Sequence, residues 1–296
     1  MNQPILVTGA AGQVGRCLLA GSTTDRPVTG LTSQALDISD LAAVEATVKA
    51  VQPALIINAA AYTAVDQAEE EPDKALAVNA QGPENLAKVC AQLNIPLFHI
   101  STDYVFDGSG EKPWREEDKV APPGVYGLTK AEGENRVRAQ LDRHLILRTS
   151  WVFETAGQNF VNTMLRLGRD RDQLGVVADQ FGAPTSARSI ADTLLSLAEN
   201  YLKAGTLAWG TYHYSGAPFV SWHQFACRIM QLGYEAGLIP ALPQINPVTS
   251  DQYPTPAERP PNSRLDCSKL EATFGIRPDN WDASLLAMIN QIKDNR

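Results

Sequence analysis

Short apolar runs alternate with longer amphipathic stretches through the first half of the chain. Runs of β-branched and apolar residues without polar alternation predict strands that are buried on both faces of a parallel sheet. The stretches between them carry apolar residues at helical spacing, as from Leu41 to Val51, where Ser39 is the expected N-cap. This alternation predicts a doubly wound α/β fold of the Rossmann type, with strands at residues 5–7, 28–31, 54–58 and 96–100.

The regular alternation loosens after Trp151. An irregular second half is typical of a smaller domain that closes over the edge of a sheet. We therefore expect an α/β chain of two domains. The first is a dinucleotide-binding domain over residues 1–150, with returning elements near 174–215 that begin with a strand at 174–178. The second is a smaller, irregular α/β substrate domain formed mainly by residues 151–173 and 216–296.

Two stretches have an unusual composition. Residues 240–261 contain seven prolines, too many for a helix or a central strand, and predict an extended loop that covers the site or wraps the surface. The acidic run Glu69-Glu70-Glu71 is expected in a solvated loop or in the first turn of a helix, where negative charge is favourable. A helix is then predicted from Pro72 to Leu93.

The charge balance excludes several classes of partner. A net charge of -8 and a pI of about 5.1 oppose binding to nucleic acid or to an anionic membrane surface. The four cysteines are widely spaced and form no metal-ligand pattern, so neither a disulfide framework nor a metal site is predicted. No hydrophobic signal stretch or membrane-spanning apolar run is present in the sequence, and we expect a cytoplasmic protein.

A glycine-rich turn follows the first predicted strand at once. Gly9, Gly12 and Gly15 are spaced Gly-x-x-Gly-x-x-Gly, and helical spacing begins again at Leu18. Strand, glycine loop and helix in this order are typical of a pyrophosphate site, because glycines let the phosphates approach the backbone and the helix start offers free N–H groups. The alternative is a tight turn without function.

The end of the second predicted strand bears on the choice of cofactor. An NAD-specific site usually has an acidic residue there for the ribose 2′-hydroxyl, whereas this chain has Thr32, Ser33 and Gln34. We expect NADPH to be preferred, with NADH as the alternative. Asp37 is either a turn residue or a contact to the adenosine of the cofactor.

Candidate catalytic groups follow the fourth predicted strand. Thr102 and Asp103 end that strand, and Tyr126 and Lys130 open a helix, four residues apart and so on one face. A phenol normally titrates near pH 10, and we expect the Lys130 ammonium to lower the pKa of Tyr126 and fit it for proton transfer. Topology places these groups at the sheet edge that carries the glycine loop.

These motifs resemble the extended short-chain dehydrogenase/reductase superfamily. More narrowly, the chain is similar to the dTDP-4-dehydrorhamnose reductase family, which reduces the C4 keto group of the nucleotide sugar dTDP-4-dehydro-L-rhamnose to give dTDP-L-rhamnose. The resemblance spans nearly the whole chain. Its motifs are Thr8-Gly-x-x-Gly-x-x-Gly15, Asn58-Ala-Ala-Ala-Tyr-Thr-Ala-Val-Asp66, Ser101-Thr-Asp-Tyr-Val-Phe-Asp-Gly108, Tyr126-Gly-x-x-Lys130, Leu147-Arg-Thr-Ser-Trp-Val-Phe153 and Arg259-Pro-x-Asn-Ser-x-Leu-Asp266.

The resemblance implies a role for each matched residue. On the cofactor side, it implies phosphate contacts from Gly12, Gln13 and Val14, a place by the adenosine for Asp37 and Ile38, and a pocket lined by Ala61, Tyr62 and Thr63. On the substrate side, Thr102 would tune the proton donor and, with Asp103, contact the sugar, on which Trp151 would pack. Tyr126 would donate the proton, and Lys130 would also bind the nicotinamide ribose.

One departure from the family concerns assembly. Some members dimerise through Mg²⁺ held by glutamates at the two positions where this chain has Cys17 and Arg188. Neither side chain is a hard oxygen ligand. We therefore expect a monomer or a weak dimer, without a metal bridge.

Two other functions are compatible with these residues. One is that of another nucleotide-sugar 4-ketoreductase, 4-epimerase or 4,6-dehydratase of the superfamily, although a dehydratase would carry a glutamate where Tyr104 follows Asp103. The other is that of a non-catalytic regulatory subunit, because the β subunit of methionine adenosyltransferase is similar to this reductase family. Turnover of a 4-ketosugar nucleotide with stoichiometric NADPH oxidation would distinguish the reductase from both.

Overall fold

The structure, a computed structural model, describes residues 3–295 of the chain. Residues 1, 2 and 296, which the predicted domain ranges include, lie outside the described part. The strands in chain order are β1 Ile5–Thr8, β2 Val28–Leu31, β3 Leu55–Asn58, β4 Leu97–Thr102, β5 His144–Thr149, β6 Val152–Phe153, β7 Gln173–Val177, β8 Phe181–Gly182, β9 Thr185–Ser186, β10 Gly210–His213, β11 Val220–Ser221 and β12 Gln244–Val248.

The helices alternate with the long strands. Between residues 3 and 295, no helix is long and apolar enough to cross a membrane. A π-helical turn, Ala77–Gln81, joins α4 to α5 without a break, and 3₁₀ turns cover Asp103–Val105 and Ser250–Gln252. The α-helices are α1 Gln13–Ala20, α2 Leu41–Val51, α3 Val65–Ala68, α4 Pro72–Leu76, α5 Gly82–Leu93, α6 Val125–Gln140, α7 Phe160–Asp170, α8 Ala187–Ala204, α9 Trp222–Glu235, α10 Ser268–Phe274 and α11 Trp281–Asp294.

Six parallel strands form the central sheet, in the order β2-β1-β3-β4-β5-β10. The predicted doubly wound parallel sheet is therefore confirmed. Strand β2 lies on one side of β1, whereas β3 and the strands that follow it in the sheet lie on the other side. Open sheets of this kind bind ligands at the carboxyl ends of the strands beside such a reversal.

Helices cover both faces of the sheet because successive strand residues point to opposite sides. Val7 and Ile57 pack toward α1 and α8, in one apolar cluster with Leu18 and Leu194. The residues before them in sequence, Leu6 and Ile56, belong to a second cluster with α2, α5 and α6. Both clusters are closed to water, as expected for strands without polar alternation.

The second half forms a third apolar cluster around α7, α9 and α11. Strand β7 packs into it through Leu174 and Val176 and pairs in parallel with β12. The expected return of residues 174–178 to the sheet of the dinucleotide-binding domain is therefore wrong, while β10 does join the central sheet. Strand β12 also interrupts the predicted extended loop, and Pro247 is tolerated because the sheet has only two strands. The division into two domains stays a prediction.

The cap of α2 differs from the expected one. The N-cap is Asp40, whose carboxylate accepts hydrogen bonds from the N–H groups of Ala42 and Ala43. Ser39 instead donates its hydroxyl to Asp37, 2.7 Å away. Aspartate and serine cap helices equally well, so sequence alone placed the start one residue early.

Helix α6 is anchored mainly by polar groups and by close backbone contact. A Cβ at Gly127 would lie 2.1 Å from the carbonyl oxygen of Tyr104, and one at Gly133 would lie 2.0 Å from that of Asn79. Glu134, the next residue along the helix, receives two hydrogen bonds from Arg148, at 2.8 and 2.7 Å. Both side chains are 1% exposed. Burial raises the pKa of Glu134, but the two bonds from Arg148 and the charge of Arg138 outweigh it and lower the pKa to about 2.

The substitution Glu134→Gln is expected to lower the free energy of unfolding by about 3–5 kcal/mol, because it leaves the Arg148 charge buried without its partner. Urea denaturation at pH 7 measures the loss. Because the folded-state pKa lies below the ordinary value of 4.5, the stabilisation is present above that value and is lost as pH falls toward 2.

Glu132→Gln is the matched control on the same helix. Glu132 pairs with Arg136 at 2.8 Å, and its side chain is 43% exposed. Exposed pairs contribute less than about 1 kcal/mol, so this variant should unfold nearly like the parent protein. Equal losses in the two variants would contradict the role given to the buried pair.

Candidate active site

A crevice of about 520 Å³ opens at the carboxyl ends of the central strands, beside the reversal between β1 and β3. Its walls come from the glycine loop, the ends of β3, β4 and β5, and the first turns of α6. The structure brings most of the predicted site residues together there. Those that line the crevice are Gly12, Gln13, Val14, Ala61, Thr63, Thr102, Asp103, Tyr126, Lys130 and Trp151.

Two of the three loop glycines shape the crevice from behind. Gly9 has a φ of +72°, and a Cβ there would lie 2.5 Å from the backbone nitrogen of Ala60. A Cβ at Gly15 would lie 2.2 Å from the carbonyl oxygen of Gly9. Gly12 is the N-cap of α1 and offers no side chain to the first N–H groups of the helix, which leaves those groups available to a phosphate.

Asp37 and Ile38 do not line the crevice. The Asp37 carboxylate accepts hydrogen bonds from the N–H and the hydroxyl of Ser39, at 2.9 and 2.7 Å. Ile38 is buried, 4% exposed, and a Cβ on Gly82 would touch it. Asp37 therefore stabilises a turn, and Ile38 packs against α5 at Gly82. Their contact with the adenosine stays a prediction.

Tyr62 also points away from the crevice. Its hydroxyl donates to Glu71 at 2.6 Å, and this hydrogen bond raises the pKa of Tyr62 to about 12. Its backbone is held twice by Asn79, which accepts from the Tyr62 N–H at 2.8 Å and donates to the Tyr62 carbonyl at 3.1 Å. The same amide donates to Thr129 of α6 at 3.2 Å. Asn79 therefore ties the predicted cofactor loop to the helix of Tyr126, from a π-helical turn, a feature often found at functional sites.

The acidic run 69–71 has structural partners that composition did not predict. The N–H of Val125 donates to Glu69 at 2.9 Å, whereas Gly124 at the N-cap of α6 provides no capping side chain. A carboxylate at a helix N-terminus is stabilised by the free N–H groups and by the helix dipole. Glu69 therefore fixes the start of α6 one residue before Tyr126.

The Tyr126 phenol is held in its neutral form. Burial raises the pKa of Tyr126 above its usual range, and the Thr102 hydroxyl, which lies within its hydrogen-bonding reach, opposes only part of that rise. The Lys130 ammonium donates instead to the carbonyl oxygen of Ile100 at 2.7 Å. The lowering of the Tyr126 pKa by Lys130 therefore stays a prediction.

Lys130 itself is almost completely buried, 2% exposed. Burial lowers the pKa of Lys130 to about 8, although the charge of Glu134 one turn along α6 favours the ammonium. The group is thus largely cationic at neutral pH. A neutral phenol beside a buried cation is suited to giving up a proton to an oxygen that becomes negative.

Thr102 and Asp103 close the crevice opposite the glycine loop. The Thr102 hydroxyl donates to Asp103 Oδ1 at 3.0 Å and accepts from the N–H of Tyr104 at 3.3 Å. The ring of Tyr104 meets that of Tyr126 edge to face, with centroids 5.4 Å apart. Both residues of the dipeptide are buried, so their hydrogen bonds are shielded from water.

Trp151 holds a strained backbone conformation at the mouth of the crevice. Its φ is +48°, in a region that bulky residues rarely adopt. Its indole stacks on Trp222, with centroids 3.6 Å apart, and packs so tightly on Gly182 that a Cβ there would lie 2.6 Å from the ring. Strained residues in a crevice often serve binding.

Arg16 is a crevice residue that the sequence interpretation missed. It lies in the first turn of α1 and donates to the carbonyl oxygens of Ala11 and Ala156, the second at 2.9 Å. It therefore links the glycine loop to the segment after Trp151. The signal was a basic residue one turn after Gly12, where it lies close to the expected phosphates.

The side chains at the two positions considered for a metal bridge, Cys17 and Arg188, have protein partners in the structure. Cys17 donates to Glu154 at 2.9 Å, and Arg188 pairs with Asp192 at 3.1 Å. Within residues 3–295, no group of three histidine, cysteine or acidic side chains is arranged to hold a metal ion. The oligomeric state stays a prediction.

The doubly wound sheet, its glycine loop and the Tyr126 and Lys130 pair define a dinucleotide-dependent oxidoreductase of the extended short-chain dehydrogenase/reductase type. Comparison with known proteins narrows this class. A profile of the family described as the RmlD substrate binding domain matches residues 1–294. The dTDP-4-dehydrorhamnose reductase of Aggregatibacter actinomycetemcomitans is 44% identical over 283 residues, which cover 95% of this chain and 96% of that protein.

Comparison with solved structures leads to the same family. A dTDP-4-dehydrorhamnose reductase from Clostridium acetobutylicum is 38% identical with a TM-score of 0.90, and 98% of this chain and 99% of that chain are covered. The Bacillus anthracis enzyme of the same name, solved in complex with NADP, is 32% identical with a TM-score of 0.89, over 98% and 100% of the two chains. The chain therefore belongs to the dTDP-4-dehydrorhamnose reductase family, as its motifs indicated. These matches favour the reductase over the epimerase, dehydratase and regulatory-subunit alternatives.

Removal of the Glu69 carboxylate in Glu69→Ala is expected to lower the free energy of unfolding by about 1 kcal/mol, because α6 loses its cap. If the displaced start of α6 costs the transition state at Tyr126 as much, kcat falls about fivefold. Steady-state kinetics and a thermal melt measure both effects. The matched control is Glu70→Ala, since Glu70 is exposed. Equal kinetics in the two variants would contradict the positioning role of Glu69.

Proposed function

We propose that the chain reduces the C4 keto group of dTDP-4-dehydro-L-rhamnose to give dTDP-L-rhamnose, with NADPH preferred and NADH as the alternative. The observation that carries the proposal is the convergence of Thr102, Tyr126 and Lys130 on one crevice with the glycine loop. Family membership and the NADP complex of a relative support the substrate and the cofactor.

The cofactor supplies the hydride, and the protein supplies alignment and the proton. In the proposal, the phosphates lie on Gly12, Gln13 and Val14, where the start of α1 offers free N–H groups, and Arg16 adds positive charge beside them. Thr32, Ser33 and Gln34 after β2 leave room for a 2′-phosphate. Ala61 and Thr63, held against α6 through Asn79, would form the wall behind the nicotinamide.

Tyr126 would donate its proton to the C4 oxygen as the alkoxide forms. Its neutral phenol is the protonation state that this step needs. Thr102 would hydrogen-bond the same oxygen, and the Lys130 ammonium would bind the nicotinamide ribose and stabilise the phenolate left behind. Trp151 would pack on the sugar. We also propose that the protein acts in the cytoplasm as a monomer or weak dimer without a metal bridge.

Tyr126→Phe is expected to lower kcat by about 10²–10⁴-fold, the usual contribution of a general acid. The fluorescence-measured Kd for NADPH should change by less than about threefold, because the ring and its packing remain. Absorbance at 340 nm with NADPH and dTDP-4-dehydro-L-rhamnose follows the reaction. Activity should be the same with EDTA present.

Tyr104→Phe is the matched control, since the Tyr104 ring contacts that of Tyr126 and lines the same crevice. The fall in kcat of Tyr104→Phe should be far smaller than that of Tyr126→Phe. Retention of most activity by Tyr126→Phe would remove Tyr126 from the mechanism. Absence of substrate-dependent NADPH oxidation by the unaltered protein would overturn the proposed function itself.

A further inference from the structure

The hydrogen of the Thr102 hydroxyl is donated to a neighbouring carboxylate. The hydroxyl donates to Asp103 Oδ1 at 3.0 Å, and its oxygen accepts from the N–H of Tyr104 at 3.3 Å. Thr102 is 6% exposed and Asp103 is 3% exposed. Both side chains are thus largely screened from water, and the direction of the hydroxyl is set mainly by these two protein partners.

A hydroxyl carries only one hydrogen. While Thr102 donates to a carboxylate, it offers a substrate oxygen only lone pairs, which repel the negative charge that develops during reduction. A protonated carboxyl changes this, because it can donate its own hydrogen to the Thr102 oxygen. The hydrogen of Thr102 is then free to point into the crevice, toward the oxygen that Tyr126 also faces.

We propose that Asp103 is a positioning residue whose carboxyl group, by gaining or losing a proton, sets whether Thr102 can donate a hydrogen bond to the reacting oxygen of the substrate. This inference rests on the proposed function and deepens it. It assigns the reactive form of the site to the state in which Asp103 is neutral. The only covalent bond made or broken by the device is the O–H bond of the Asp103 carboxyl group, and all other changes are in hydrogen bonds.

The surroundings of Asp103 allow such a change. Burial raises the pKa of Asp103 to about 6, although the hydroxyls of Ser263 and Thr102 and the nearby backbone N–H groups favour the charged form. The titratable groups that face it are the phenols of Tyr104 and of Tyr126 from α6.

Two more distant sets of charges border the same region. Arg259 and Asp66, paired at 2.6 Å, act on the far side of Tyr104. Lys130 lines the same crevice and donates to Ile100. Since the neutral acid is the form that frees Thr102, the rate is expected to fall as pH rises through about 6, the pKa of Asp103.

The test is the pH dependence of the single-turnover rate of NADPH oxidation between pH 5.5 and 7.5 for the unaltered protein and for Asp103→Asn. The amide does not titrate and can donate an N–H to the Thr102 oxygen. The rate of the unaltered protein should fall more than about tenfold across this range, as for loss of one essential proton. The rate of Asp103→Asn should change less than about twofold. Any fall near pH 8 from Lys130 is common to both.

Asp107→Asn is the matched control, an exposed aspartate in the same segment that accepts from the N–H of Ser109 at 2.8 Å. Its pH profile should be parallel to that of the unaltered protein. Thr102→Val provides a second variant if Asp103→Asn does not fold. Without the hydroxyl Asp103 has nothing to orient, so the fall between pH 5.5 and 7.5 should disappear.

Parallel profiles for the unaltered protein and Asp103→Asn would overturn the inference, and so would a fall that persists in Thr102→Val. Either result leaves the proposed function intact, because the unaltered protein still oxidises NADPH with the ketosugar. Failure of the proposed function is a different result, namely no ketosugar-dependent oxidation by the unaltered protein at any pH in the range.

Discussion

The position of helix α6 is the constraint on which the site depends. An ordinary surface helix is located by an apolar stripe, whereas α6 is located mainly by polar contacts and by backbone contact at its glycines. Gly133 lets its backbone approach Asn79, and Glu134 in the middle of the helix is paired with Arg148. Glu69 caps its N-terminus. These contacts come from distant parts of the chain, so they fix both the tilt and the rotation of the helix, and with them the direction of Tyr126.

A helix held in this way is positioned by the protein's own contacts, and so are its catalytic groups. The half-buried phenol of Tyr126 is held neutral, and Lys130 is buried and largely charged. Preorganised charge in a shielded crevice is the usual source of the electrostatic part of catalysis. Trp151 adds a strained backbone, at a cost of about 1–3 kcal/mol, and the stack on Trp222 holds it in place.

Local patterns were enough to predict the sheet, the glycine loop and the sides of the crevice, because strand periodicity and parallel topology together put Thr102, Tyr126 and Gly12 on one edge. They did not predict the partners of Glu69 or of Asn79, which act on residues about 50 positions away. Sequence spacing suggested that Lys130 would act on Tyr126 directly, yet its ammonium binds the carbonyl of Ile100. Strand β7 was assigned to the wrong sheet because its partner, β12, lies in a proline-rich segment that did not read as a strand.

A crystal structure of the protein with NADP⁺ and dTDP-L-rhamnose is the most direct test of the claim that α6 prearranges the reacting groups. We expect the C4 oxygen of the sugar to lie within about 3 Å of the Tyr126 hydroxyl, and the sugar C4 to lie about 3.5 Å from the nicotinamide C4. We also expect Tyr126 to keep the position on α6 that the structure gives it. A sugar bound with C4 remote from Tyr126, or a phenol turned out of the crevice, would contradict the prearrangement by α6.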